Sequence, residues 1–279
     1  MEKVALITGC SSGFGKLTAV ALARAGFRVA ATMRNLEKRA ALDAAAKEAG
    51  IQFDLRRLDI TESDSLAAFV EQLVADYGRL DVLVNNAGFS VSGFAEDMTL
   101  EEIRHNFETN FFGHVAMTKA VLPQMRKQRS GHVIMVSSMA GLVGQPLIST
   151  YCATKHALEG WSESVRIETQ SLGIRIVLVE PGAFETDIWE KNVVMAKRAV
   201  QPDSPNYERS LRFREFVQKN VSKADARQVA DLIVRIAQDP DPKLRYLIGR
   251  DARAAYWMKK LLPWKRWEKM VAKHTRIDV

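Results

Sequence analysis

The stretch YCATK, residues 151–155, sets a phenol and an ammonium four positions apart. On a helix that spacing puts Tyr151 and Lys155 on one face. A phenol titrates at about 10, so poising it for proton transfer at neutral pH takes about three units, or about 4 kcal/mol. A cation about 4 Å away at an effective dielectric of about 20 supplies a Coulomb energy of that order. The pair therefore reads as a general acid/base: Tyr151 gives a proton to a developing alkoxide or takes one from an alcohol, and Lys155 is expected to lower its pKa.

A second group of residues is suited to holding an anion. The apolar run VALIT (4–8) leads into TGCSSGFG, and KLTAVALARAG then continues with helical amphipathicity. Gly9, Gly13 and Gly15 give a tight turn whose backbone, with Ser11, Ser12 and Phe14, can approach a pyrophosphate, while the helix N-terminus and its dipole face the charge. A glycine pattern carries weight in this strand–turn–helix context. The residue that would grip an adenosine 2′-hydroxyl belongs at the end of the second strand, which reads ATMRN. Met33 stands where an acid is expected and Arg34 follows, so a 2′-phosphate is attracted and the expected cofactor is NADP(H) in preference to NAD(H).

These groups need a scaffold that brings distant turns together. Strand-like runs recur at residues 4–8, 27–32, 53–60, 80–86, 131–138, 174–180 and 244–249, and helical patterns separate the first six. Alternation of this kind predicts an α/β fold, a doubly wound parallel sheet of about seven strands with helices on both faces. Several runs are continuously apolar, as strands covered on both sides require. The expected organisation is one domain over 1–250, in which 183–224 forms a lid insertion over the active-site edge with QPDSPN (201–206) as a loop tip, followed by a tail over 251–279.

Composition excludes several classes. The 279 residues are 47% hydrophobic and 26% charged, an ordinary globular balance. The opening run lacks the length and cleavage site of a secretory signal, and no apolar run is long enough to span a membrane. Cys10 and Cys152 suit small buried thiols in a reducing compartment, and no metal site is expected from them or from the five histidines, read as surface or helix-face residues. The net charge is +7, yet residues 243–279 hold eleven Lys or Arg against three acids. The basicity belongs to the tail, and no nucleic-acid motif accompanies it, so a nucleic-acid partner is not expected.

TGCSSGFG, NNAG at 85–88, Asn110, Ser138, YCATK and the Pro181–Gly182 pair together resemble the short-chain dehydrogenase/reductase family, in order and near its usual spacing over about residues 4–250. With MRN and VEPGAF, the glycine turn looks most like the branch that includes 17β-hydroxysteroid and retinol dehydrogenases. The resemblance implies a Rossmann-fold oxidoreductase in which Ser138 polarises a substrate carbonyl and Tyr151 transfers the proton. It further implies that Lys155 binds the nicotinamide ribose and lowers the Tyr151 pKa, and that Asn110 holds a water in a proton relay. Asp59 and Ile60 would border the adenine, Asn86, Ala87 and Gly88 the adenosine side, and Pro181, Gly182 and Thr186 the nicotinamide end. It also suggests a homodimer or homotetramer packed through helices near 100–125 and 150–170.

The expected activity is that of an NADP(H)-dependent carbonyl reductase or secondary alcohol dehydrogenase. Phe184, Ile188 and Trp189 of the lid would close an apolar pocket, so a steroid-, retinoid- or lipid-like ketone or alcohol is the expected substrate. Two alternatives stand beside this reading: a non-catalytic NADP(H)-sensing regulator and an NAD-preferring alcohol dehydrogenase. The expected location is cytoplasmic, with peripheral membrane contact as a variant. The tail AYWMKKLLPWKRWEKMVAK mixes Trp257, Trp264 and Trp267 with cations. An anionic membrane surface, a dimer arm and a flap over a neighbouring active site all fit it.

Overall fold

The computed structural model describes residues 2–186, 193–220 and 223–275. Seven strands form one all-parallel sheet in the order β3-β2-β1-β4-β6-β7-β9. They are β1 (Val4–Ile7), β2 (Arg28–Met33), β3 (Asp54–Arg57), β4 (Val82–Asn85), β6 (Gly131–Val136), β7 (Ile174–Pro181) and β9 (Arg245–Ile248). All seven sequence-predicted runs are present. The third is shorter than expected: the ladder bond from Leu58 N to Met33 O ends the pairing, and the chain then turns at Asp59.

Alternate residues of each strand enter different apolar layers. Ala5, Ile7, Val29, Ala31, Val177 and Val179 face one core together with α1 (Gly13–Arg24) and α8 (Arg227–Gln238). Val4, Leu6, Leu83, Val133, Ile176 and Leu178 face the other, against α3 (Leu66–Tyr77), α5 (Gly113–Gln128) and α6 (Ser149–Thr169). With both sheet faces covered, every strand position favours an apolar side chain, which explains the unbroken hydrophobic runs. β1 pairs with β2 on one side and β4 on the other. The chain order reverses there, and the crevice at the carboxyl ends of these strands is where such sheets bind ligands.

A second, two-stranded parallel sheet joins β5 (Ser90–Ser92) to β8 (Val193–Met195). It fastens residues 193–195 to the loop that follows β4, with Val91, Met98, Ala196 and Ala199 as a small core of their own. Neither three-residue strand stood out in the sequence. The expected loop tip QPDSPN is also anchored: Ser204 and Asn206 are buried, Ser204 Oγ donates to Asp97 Oδ1 at 2.7 Å, and Asn206 Nδ2 donates to Glu96 Oε2 at 3.2 Å. Helix α7 (Tyr207–Asn220) follows, and the tail forms a hairpin of α9 (Arg250–Leu261) and α10 (Trp264–Thr275).

Phe184 corrects the expectation that it contacts substrate. Its side chain is 1% exposed and meets Phe14 of α1 edge-on at 6.0 Å between ring centroids, inside the α1–α8 core. Residue 184 also bridges in parallel with Ala224, which fixes it to the sheet side. Truncating such a buried ring leaves a cavity costing about 3–5 kcal/mol. Phe184→Ala is therefore expected to lower the calorimetric Tm while leaving the KM for a carbonyl substrate little changed; a raised KM at unaltered Tm would restore the substrate role.

Candidate active site

Each side chain of the site hangs on the carboxyl edge of the sheet. Ser138 follows β6 and caps a 3-10 turn (Met139–Gly141), its Oγ accepting from Ala140 N at 3.1 Å. Because that bond uses an oxygen lone pair, the hydroxyl proton is free to point elsewhere. Tyr151 and Lys155 lie one turn apart on α6 and are buried, at 9% and 3% exposure. Ser138 faces the phenol closely enough to favour its ionised form. The structure thus brings Ser138, Tyr151 and Lys155 together as the sequence predicted.

Their electrostatics differ from the sequence expectation. The Lys155 ammonium donates to Val136 O at 2.8 Å and sits 5.7 Å from the Tyr151 ring centroid. Burial pushes Tyr151 up to about 12, opposed by the Ser138 hydrogen bond. Burial likewise pulls Lys155 down to about 7. The phenol is thus held above its ordinary range, where the sequence expectation had it lowered: desolvation is the largest cause, and the ammonium is turned toward a main-chain carbonyl.

Asn110 lies in a π-helical stretch, Glu108–Phe112, between α4 (Leu100–Phe107) and α5. Its Oδ1 accepts from Phe89 N at 3.1 Å, and its Nδ2 donates to Phe89 O at 2.8 Å and toward Thr154 Oγ1 at 3.4 Å. Single π-turns within helices mark functional sites. This one lets Asn110 tie the loop after NNAG to α6 beside Tyr151. A Cβ on Gly88 would stand 3.0 Å from Asn110 Oδ1, so the glycine permits that contact.

The glycine turn presses against the NNAG loop. Gly9 has φ +74, and a Cβ there would lie 2.8 Å from Ala87 Cα; one on Gly15 would meet Gly9 O at 2.3 Å. Asn86 holds the arrangement through its Nδ2, which donates to Thr8 O and Gly9 O. Cys10 N donates to Thr32 O, which sets the turn beside the end of β2, where Arg34 is 67% exposed and 3.9 Å from Asp59. Asp59 accepts from Thr61 N, and Ile60 is buried among the α3–α5 residues with its side chain over Gly113. Gly13 lies near the Thr186 side chain, with 3.5 Å from an added Cβ to Thr186 Cβ. Thr186 thereby reaches across to the turn, while Gly182 packs against Asp251 and Pro181 pairs with Ile248 in the sheet. Ile188 and Trp189 lie outside the described residues.

A pyrophosphate-bearing nucleotide suits this cradle. Ser11, Ser12, Gly13, Phe14 and Gly15 lead into or begin α1, whose first turn contains no acid, and the side-chain-free approach at Gly9 and Gly15 is already filled by backbone. Ala87 links the two halves. Its backbone abuts Gly9, and its carbonyl accepts from His114 Nε2 at 2.7 Å. His114 is fully buried, contrary to its reading as a surface or helix-face residue, and burial with the Lys155 charge pulls it down to about 3, so it is neutral. Cys10 and Cys152 are buried free thiols, as expected.

Three supporting residues escaped sequence reasoning. Thr8 Oγ1 accepts from both Asn86 N and Ala87 N. Asp251 accepts from Ala183 N at 2.7 Å and so fixes the Pro181–Gly182 turn from the tail side. Glu159, one turn beyond Lys155, accepts from Ser137 and pairs with Arg245, which also meets Glu180 and Glu163. Burial pushes Glu180 up to about 7. Of these, only Glu159 carried a signal, its i+4 spacing from Lys155.

Comparison with known proteins gives the same picture. The family model described as short chain dehydrogenase matches residues 3–196. The chain is 42% identical over 276 residues to the oxidoreductase YusZ of Bacillus subtilis, covering 98% of both. It is 39% identical to retinol dehydrogenase 8 of Bos taurus, covering 87% of this chain and 80% of that one. A solved short-chain dehydrogenase from Streptomyces avermitilis superposes with a TM-score of 0.81 at 34% identity, covering 97% of each chain. The chain belongs to the short-chain dehydrogenase/reductase family and to the branch that includes retinol and 17β-hydroxysteroid dehydrogenases, oxidoreductases acting on hydroxyl or carbonyl groups.

Proposed function

We propose that this protein is an NADP(H)-dependent carbonyl reductase and secondary alcohol dehydrogenase acting on apolar ketones and alcohols. The observation that carries the reading is the buried Tyr151 and Lys155 pair with half-buried Ser138 beside the phenol, on the same sheet as a glycine turn packed against Ala87 and flanked by Arg34. The bound nicotinamide supplies or accepts the hydride. Ser138 donates a hydrogen bond to the substrate oxygen, since its own Oγ is already held by Ala140 N–H. Tyr151, kept protonated by burial, delivers the proton to the developing alkoxide on reduction and takes it back on oxidation. Lys155 engages the nicotinamide ribose and restores the phenol's acidity, and Asn110 holds the water through which the proton is renewed.

Arg34 supports the cofactor preference: it is exposed just beyond β2, its partner Asp59 is 3.9 Å away, and its guanidinium would offer a cation to a 2′-phosphate. Asp59 and Ile60 would border the adenine, Asn86 to Gly88 the adenosine side, and Pro181, Gly182 and Thr186 the nicotinamide end. The apolar substrate class is supported by the kinship with retinol dehydrogenase 8 and by the apolar types of Ile188 and Trp189 in the sequence. A homo-oligomer packed through α5 and α6 accounts for the exposed Phe112 just before α5 and Ile167 on α6. The cytoplasm is the proposed location.

Three measurements test the reading. Tyr151→Phe is expected to reduce turnover by about 10²–10⁴-fold while the NADPH Kd is nearly unchanged; retained turnover removes the phenol from the chemistry. Arg34→Ala removes a charge-assisted phosphate contact of about 1.5–3 kcal/mol. The KM for NADPH is expected to rise about 10–100-fold and that for NADH to stay put; equal effects on both cofactors refute the NADP preference.

The third concerns pH. The Lys155 pKa is lower folded than unfolded, so between about 7 and 10.5 the unfolded chain binds more protons and stability rises with pH. The urea midpoint of the cofactor-free protein relative to Lys155→Met is expected to increase across that window. A difference that is flat or falls with pH means the ammonium is not desolvated.

A further inference from the structure

The tip of the C-terminal hairpin is both apolar and cationic. Trp257, Met258 and Leu261 near the end of α9 and Trp264 at the start of α10 are 52%, 38%, 75% and 65% exposed. They are four of the eleven large exposed hydrophobic residues among those described, gathered within eight positions on either side of Pro263. Around them Lys260, Lys265, Arg266, Lys269 and Lys273 are exposed, against the single exposed acid Glu268 on α10. Lys260 Nζ lies 5.4 Å from the Trp257 ring centroid, so cation and indole share one patch.

The hairpin is not loose. Trp267 is buried, Lys259 Nζ donates to Leu142 O at 2.6 Å, Asp251 holds Ala183 N, and His274 meets the Phe216 ring of α7 at 5.6 Å between centroids. The three named contacts reach the turn after Ser138, the residue after Gly182, and α7. The fold therefore presents an outward tip of indole and aliphatic groups ringed by ammonium and guanidinium.

We propose that this tip docks the enzyme on an anionic lipid bilayer, with Trp257, Leu261 and Trp264 in the headgroup–acyl boundary and the surrounding cations on lipid phosphates. Charge complementarity selects this occupant. A second copy docked face to face would set like-charged rings against one another. A purely electrostatic polyanion would leave Leu261 and Trp264 in water, whereas an interface places both classes of side chain where each is favoured.

The test is co-sedimentation of the full-length protein with phosphatidylcholine vesicles and with vesicles that also contain phosphatidylglycerol. The protein is expected to pellet with the phosphatidylglycerol vesicles at low salt, to remain in solution with phosphatidylcholine alone, and to be released as salt rises. Each cation near an anionic surface contributes on the order of fivefold in partitioning. Lys265→Glu/Arg266→Glu and, separately, Leu261→Ser/Trp264→Ser are therefore each expected to weaken pelleting by about tenfold or more, with turnover of a water-soluble ketone unchanged.

No pelleting with phosphatidylglycerol overturns the proposal. So does pelleting insensitive to Leu261→Ser/Trp264→Ser, which would mark charge attraction alone, and so does loss of self-association by that variant in sedimentation velocity without vesicle binding by the parent. The readout is independent of catalysis: an active protein that never pellets removes only the docking surface, and an inactive one that pellets removes only the proposed reaction.

Discussion

The site is organised around a buried ammonium. Lys155 is 3% exposed, and the described residues give it one hydrogen bond, to the carbonyl of Val136. An ammonium has three donors, and a neutral carbonyl does not replace its lost hydration. Burial dominates the surrounding chemistry in the same way: it pulls Lys155 down to about 7, keeps His114 neutral with the Lys155 charge as a secondary cause, and keeps the proton on Tyr151. A ligand presenting hydroxyl oxygens to Lys155 would return the missing solvation. The lysine's acid strength and the occupancy of the nucleotide cradle are in this sense coupled.

The cradle rests on steric exclusion more than on attraction. Gly9 and Gly15 leave no room for a Cβ, and Thr8, Asn86 and Ala87 stitch β1 to β4 at the point where the chain order of the sheet reverses. The α6 side is braced by the carboxylates of Glu159, Glu163 and Glu180 around Arg245, one residue from Ser138 through Ser137 and one from Pro181 through Glu180. Two positions of the candidate site thus have their neighbours pinned by charge.

Much of this was legible in the sequence because the informative contacts are local. The period of apolar residues gave seven strands, the turn chemistry gave the glycine cradle, and i,i+4 spacing gave the Tyr151–Lys155 face. Long-range choices were not legible. Whether Phe184 faces substrate or core depends on a bridge to Ala224 forty residues later, and whether Lys155 points at the phenol or at Val136 depends on the depth of α6 against β6. His114 carries the same lesson: its burial is decided by the approach of α5 to the NNAG loop, which no periodicity encodes. The β5–β8 pairing was hidden because three-residue strands fall below any pattern length.

The carboxylate of Asp251 begins a helix in the basic tail, yet it spends its hydrogen bond on the backbone beyond Pro181 and Gly182. A Cβ on either Gly182 or Gly249 would collide with it. The last helices are therefore not an appendage that trimming would leave harmless: a mechanical pull on the hairpin is transmitted through one carboxylate to the loop that follows β7 at the carboxyl edge of the sheet.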